Sequence, residues 1–208
     1  MAQDSNIQDD IAFMRGLAEE GRRGPVLGGS ILLACGLIYS TAAVLSWAFW
    51  ARVLPFERPV PMFEWWLGLA AQAVAMVILI PRLKSRAGAE TPNTRLFGAV
   101  WQSLGYSILA TALGLALLNV RFERSIVWTA MPLAVLVLYG SGWAINAAIL
   151  KRRWMYAAAA LSYVSAVLTA YMVDRPEGML GYGAIIFTVL VIPGILLMRE
   201  TSLDGSPA

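Results

Sequence analysis

The sequence contains no histidine and a single cysteine, Cys35. Without histidine, a Ser-His triad and a histidine-bound zinc site are both excluded. One cysteine allows neither an internal disulfide nor a cysteine metal cluster. A Ser-Lys arrangement would depend on Lys84 or Lys151, but both lie in basic loops, where a charged amine is a poor base. The sequence therefore predicts a non-catalytic protein that holds no metal and no cofactor.

Charge is also scarce: 14% of the 208 residues are charged, and 59% are hydrophobic. Soluble domains have about 25% charged and about 45–50% apolar residues. Here the apolar residues form six uncharged runs, most of them long enough for an α-helix to cross a bilayer, which takes about 20 residues. The runs cover residues 26–50, 65–81, 96–120, 125–150, 154–173 and 178–198. We predict an all-α polytopic membrane protein whose domain, residues 25–199, is a bundle of six transmembrane helices.

The second run is the shortest of the six. We expect its helix to begin earlier, near Met62, with Glu64 at the level of the lipid headgroups. None of the six runs contains an acidic or basic side chain, and intramembrane charges are what proton pumps and voltage sensors need. Proton-driven transport and voltage sensing are therefore not expected.

The basic residues are divided unequally between the two sides of such a bundle. Eleven of the sixteen Lys and Arg residues fall on the side of the amino terminus, and the other five are Arg52, Arg58, Arg121, Arg124 and Arg175. Because loops rich in Lys and Arg stay in the cytoplasm, we predict that both termini are cytoplasmic. Five tryptophans fall at the predicted outer boundary, where aromatic rings are favoured, which agrees with this orientation.

The two ends of the chain are predicted to lie outside the bundle. Residues 1–24 form a cytoplasmic amphipathic leader helix, in which Ser5 caps the amino terminus and Ile7, Ile11 and Met14 share one stripe. We expect this stripe to dock either on the protein's own basic loops or on a partner. Residues 200–208 are predicted to be a disordered cytoplasmic tail.

Small residues recur at every fourth position in the third and fifth runs. Such stripes let helix backbones approach closely in lipid, where association depends on packing and on interhelical hydrogen bonds. We expect both stripes to pack against protein. They consist of Ala99, Ser103, Ser107 and Thr111 in the third run, and of Ala158, Ser162, Ala166 and Ala170 in the fifth.

Neutral polar side chains also lie at membrane depth. Gln102 and Tyr106 are four residues apart and so share one helix face. Such residues can be structural, joining helices by hydrogen bonds, or they can line a cavity that receives a neutral or amphipathic ligand. The candidate cavity-lining residues are Tyr39, Gln102, Tyr106, Asn146 and Tyr163.

Two prolines interrupt the apolar runs, Pro132 in the fourth and Pro193 in the sixth. Each proline lacks an N–H and so leaves the carbonyl four residues earlier without its helical partner. The carbonyls concerned are those of Trp128 and Val189. We expect kinks at both places, with a role in helix shape rather than in gating.

These observations favour a non-catalytic membrane protein that works by association, with itself or with a membrane-protein partner, as a scaffold, assembly or regulatory component. The alternative is a passive transporter or channel for a small neutral or amphipathic solute. Membrane lipid is the expected surrounding partner, and nucleic acid is not expected. Only Lys84 and Lys151 are lysines among sixteen basic residues, which suggests the plasma (inner) membrane of a prokaryote, with an endoplasmic reticulum protein as the alternative.

The predicted orientation can be tested by thiol labelling in a Cys35→Ser background. Single cysteines introduced by Ser5→Cys and Ser206→Cys should both be protected from a membrane-impermeant maleimide in intact cells and should react after permeabilisation. Arg58→Cys, in a predicted outer loop, serves as the positive control and should react in intact cells. Labelling of the two ends from opposite sides would contradict the six-helix topology.

Overall fold

The computed structural model describes residues 26–55, 57, 59, 62–85, 91–122, 129–172 and 175–204, with side chains as far as Glu200. Long helices make up nearly all of these residues, and no strand occurs among them. The predicted leader helix, with Ile7, Ile11 and Met14, lies outside the described residues.

Six apolar helical segments are long enough to cross a membrane, which confirms the predicted all-α, six-helix membrane fold. Five of them are single helices: α1 (Gly29–Trp50), α2 (Phe63–Lys84), α3 (Pro92–Phe122), α4 (Ala130–Leu150) and α5 (Arg153–Tyr171). The sixth is built of α6 (Pro176–Ile186), a π-helical turn (Phe187–Val191) and α7 (Ile192–Asp204). The sixth segment is therefore one membrane crossing made of three helical pieces.

The helices are arranged around a central core. Helix α1 packs against α2 on one side and against α6, the π-helical turn and α7 on the other. Helix α4 packs between α3 and α5, and α5 also contacts α6. Helices α2 and α3, which follow one another in the sequence, thus lie at the periphery, while α1, α4, α5 and the sixth segment form the centre.

The contact between α1 and the sixth segment is a very close backbone approach. A Cβ atom on Gly29 would lie 2.5 Å from the carbonyl oxygen of Gly194, and one on Gly194 would lie 2.7 Å from the carbonyl oxygen of Gly29. Further along α1, a Cβ atom on Gly36 would lie 2.6 Å from Val191. Only glycine fits at these positions, because the neighbouring atoms are backbone or belong to a packed, branched side chain.

The second helix begins at Phe63, one residue after the predicted start near Met62. Glu64 lies in its first turn, where a carboxylate is favoured by the helix dipole. The side chain is only 1% exposed, so it is packed inside the protein rather than turned toward the headgroups. Hydropathy predicts its depth along the helix but not the direction in which it points.

Pro132 lies in the first turn of helix α4, which begins at Ala130. The kink expected at this residue stays a prediction. Backbone N–H groups in a first turn have no partner within the helix, and proline is tolerated there without distortion. Trp128 lies outside the described residues.

The last helix is longer than predicted. It continues to Asp204, well into the segment predicted to be a disordered tail, and residues 205–208 lie outside the described part of the chain. Near this end, Glu200 forms an ion pair with Arg152, which precedes α5. The ion pair joins the end of the sixth segment to the connection between α4 and α5.

The glycine contact predicts a sharp difference between two alanine substitutions. Gly29→Ala should destabilise the protein by about 1–3 kcal/mol, because the added methyl group meets the backbone of α7 and must push the helices apart. Gly181→Ala should be neutral or slightly stabilising, since nothing lies within 4 Å of the position that its methyl group would take and alanine favours helix. Thermal unfolding in detergent measures both, and equal midpoints for the two variants would contradict the packing described.

Candidate functional site

The outer face of α3 carries polar side chains that point away from the rest of the chain. The side-chain nitrogen of Gln102 donates a hydrogen bond to the hydroxyl of Tyr106 at 2.9 Å, as their four-residue spacing allows. Gln102 is exposed, and Tyr106 is 65% exposed. The pair therefore lies on the membrane-facing surface of the single chain and not in an internal cavity.

Small residues surround this pair. Ala99 and Ser103 are exposed, while Ser107 and Thr111 are half-buried. The hydroxyls of Ser107 and Thr111 donate to carbonyl oxygens four residues earlier on α3, at 3.0 and 2.8 Å. Three glycines on the same helix have nothing within 4 Å of the position that a Cβ atom would take; they are Gly98, Gly105 and Gly114. We use the name α3 face for Gly98, Ala99, Gln102, Ser103, Gly105 and Tyr106.

The stripe predicted on the fifth run has a different environment. Ser162 and Ala166 are buried, Ala158 is half-buried and Ala170 is exposed. The Ser162 hydroxyl donates to the carbonyl oxygen of Ala158 at 2.8 Å. Because α5 packs on α4 and α6 whereas α3 packs on α4, the two stripes contribute to separate surfaces. Periodicity along each helix predicts the stripes but does not say which helices are neighbours.

The remaining candidate cavity residues are separated from the α3 face. Asn146 is fully buried in α4, and its amide donates to the carbonyl oxygen of Gly142 at 2.8 Å. The Tyr163 hydroxyl on α5 lies 3.1 Å from the Ser141 hydroxyl, with the tyrosine ring over Gly140. Tyr39 packs half-buried against the core from α1. Of the five candidates, only Gln102 and Tyr106 thus lie together.

A cleft lies at the beginning of α1, but it is small. It is lined by the backbone around Gly28 and Gly29 and by Leu83, Leu197 and Met198, and it has a volume of about 10 Å³. A space of this size holds about one water molecule. It is too small for the solutes that a transporter would carry.

An aromatic cluster at the centre of the bundle is not predicted from the sequence. Trp143 on α4 is fully buried, and its ring centroid lies 5.1 Å from that of Trp101 and 5.7 Å from that of Trp154. Phe97 and Tyr139 complete the cluster, so that residues from α3, α4 and α5 meet at one point. Sequence position alone suggests only that Trp101 and Trp154 mark a membrane boundary.

The indole of Trp143 has a second role, because its Nε1 donates a hydrogen bond of 3.0 Å to the carbonyl oxygen of Val189. This is the carbonyl that Pro193 is predicted to leave without its helical partner. A sequence signal for the contact does exist: a carbonyl freed at membrane depth needs a donor, and tryptophan carries one on an otherwise apolar side chain.

The described residues offer little reactive chemistry. Among them, no group of three or more His, Cys, Asp or Glu side chains is placed to hold a metal ion. Cys35 is half-buried in α1 and lies near the Gln72 side chain of α2.

Comparison with known proteins gives no relative: no family model, no curated protein and no solved structure matches this chain.

Proposed function

We propose that this protein is a non-catalytic integral membrane component that works by lateral association through the α3 face. The associating partner is a second copy of the chain or another membrane protein. The observation that carries this proposal is the exposure of the hydrogen-bonded pair Gln102 and Tyr106, among small residues, on a helix that the other described residues hardly cover.

The burial of the six segments supports this proposal. In the apolar windows of α2 and α3, only 11% and 6% of the residues are buried, whereas the figure is 33–50% for the other four segments. Lipid can cover an apolar helix of this kind. The α3 face is not apolar, however, and its exposure requires a separate explanation.

Hydrocarbon is a poor environment for an amide. An unsatisfied polar group there costs several kcal/mol, and Gln102 makes one described hydrogen bond although its amide can make about four. A partner helix can supply the missing bonds, and one such interhelical bond contributes about 0.6–2 kcal/mol. Gly98 and Gly105, about one turn before and one turn after Gln102, let that helix approach closely.

The alternative, passive movement of a neutral solute, receives less support from the same geometry. Such a function needs polar groups that converge on one space. Gln102 and Tyr106 face outward on α3, Asn146 is buried in α4, and Tyr163 is bonded to Ser141. Association uses the exposed groups where they are and does not need them to converge.

We further propose that the protein resides in the plasma membrane of a prokaryote, with its basic side in the cytoplasm. Exposed basic residues support this orientation at the end of α2 and around the start of α5: Arg82, Lys84, Lys151 and Arg153. Each can attract an anionic lipid headgroup by about 1 kcal/mol. Membrane lipid is thus a partner of the basic side as well as the solvent of the bundle.

Photo-cross-linking in native membranes tests the association with either partner. In a Cys35→Ser background, Ser103→Cys places a thiol on the α3 face, and a thiol-linked benzophenone attached there should give a discrete cross-linked product on illumination. Val74→Cys is the matched control, since Val74 is 59% exposed at mid-span on α2, and it should give little product. Cross-linking that is equal at the two positions, or absent at both, would contradict the proposal.

The contribution of the amide is tested by adding Gln102→Leu to the Ser103→Cys variant. Loss of one interhelical hydrogen bond, worth about 1 kcal/mol, should reduce the associated fraction about fivefold under dilute conditions. The yield of cross-linked product, measured over a series of protein-to-lipid ratios, gives this fraction. A yield that does not change on removal of the amide would show that Gln102 plays no part in association.

A further inference from the structure

The sixth segment is not one continuous α-helix. Between α6 and α7 lies the π-helical turn Phe187–Val191, and Pro193 is the second residue of α7. We use the name joint for residues 187–193. A π-helical turn accommodates one extra residue in a helix, and turns of this kind recur at functional sites. Three consecutive side chains, Val189, Leu190 and Val191, are buried here, which a regular α-helix with one buried face does not achieve.

The hydrogen bonding of the joint depends on a residue of another helix. Pro193 has no N–H to offer to the carbonyl oxygen of Val189, which lies four residues before it. Trp143 of α4 supplies the donor instead, through a buried hydrogen bond of 3.0 Å. In hydrocarbon, an unpaired carbonyl costs several kcal/mol, so the conformation of the joint is tied to the position of the indole.

The surroundings restrict both partners. On the α1 side, Gly36 packs against Leu190 and Val191, and Gly29 packs against Gly194. These two glycines of α1 allow the sixth segment to approach closely. On the α4 side, the Trp143 ring is held by Trp101, Trp154 and Phe97. The donor is thus presented by a packed aromatic cluster to the π-helical turn.

We infer that Trp143 is a latch that holds the sixth segment in its π-helical register, and that α7 moves relative to α1 when this latch is released. Each residue of an α-helix turns by about 100°, so loss of the one inserted residue would rotate α7 by about that amount. The faces that α7 presents to Gly29 and, through Glu200, to Arg152 would change with it. This conformational device is independent of the proposed association.

Hydrogen–deuterium exchange of the full chain in lipid nanodiscs tests the latch. Trp143→Phe keeps an aromatic ring but removes the donor, and it should increase exchange of the backbone amides between residues 187 and 198 about tenfold. Trp101→Phe is the matched control: it removes an indole from the same cluster, but one whose buried Nε1 makes no hydrogen bond within the described chain. Exchange in the joint should stay within about twofold of the original protein in this control.

A second pair of variants separates the latch from general packing. Pro193→Ala restores an N–H that can bond the Val189 carbonyl directly, so the indole is no longer needed. We therefore expect Trp143→Phe to have no further effect on exchange in the Pro193→Ala background, even if Trp143→Phe alone does not fold. A tenfold increase in that background too, or equal effects of Trp143→Phe and Trp101→Phe, would overturn the inference.

Discussion

Hydrocarbon cannot form hydrogen bonds, and this constraint accounts for most of the hydrogen bonding in the described chain. Every backbone N–H and C=O within the bilayer must be bonded inside the protein, which is why the described spans are helical. The side-chain hydroxyls follow the same rule. Five of them donate to the carbonyl oxygen four residues earlier on their own helix: Ser107, Thr111, Ser141, Ser162 and Thr188. A polar group whose hydrogen bond is formed within its own helix therefore needs no hydrogen bond from a partner helix.

Two of the described polar groups that their own helix does not fully satisfy carry the two proposals. At Val189 the helix cannot satisfy its own carbonyl, because Pro193 follows, and the indole of Trp143 bonds it from α4. At Gln102 the amide is satisfied only in part by Tyr106 on the same helix and faces the membrane. The first exception is resolved within the chain. In the proposed association, a partner helix on the α3 face supplies the remaining hydrogen bonds of the second.

The sequence predicts the spans well because the signal for them is local. About twenty uncharged apolar residues define a crossing wherever it lies in the bundle, and the predicted start of α2 lies within one residue of Phe63. The environment of Glu64, the position of Pro132 in a first turn and the meeting of Trp101 with Trp143 are not predicted. These features depend on where a helix starts and on which helices are neighbours, and the hydropathy of one chain does not contain that information.

The candidate residues illustrate the same limit. Their spacing correctly puts Gln102 beside Tyr106, since helix geometry alone decides that contact. It does not reveal that α3 lies at the periphery, where the pair is on the outer surface of the chain, or that Asn146 lies inside the core. Whether a polar residue at membrane depth lines a cavity or an outer surface is decided by the arrangement of whole helices.

We propose that this chain acts as part of an assembly. Native mass spectrometry of the protein, released from its own membrane in mild detergent, distinguishes an assembly from a single chain. We predict species heavier than the 22.6 kDa of one chain, made either of several copies or of this chain with another membrane protein. A lone chain carrying one stoichiometric small molecule would contradict the claim and would favour solute binding instead.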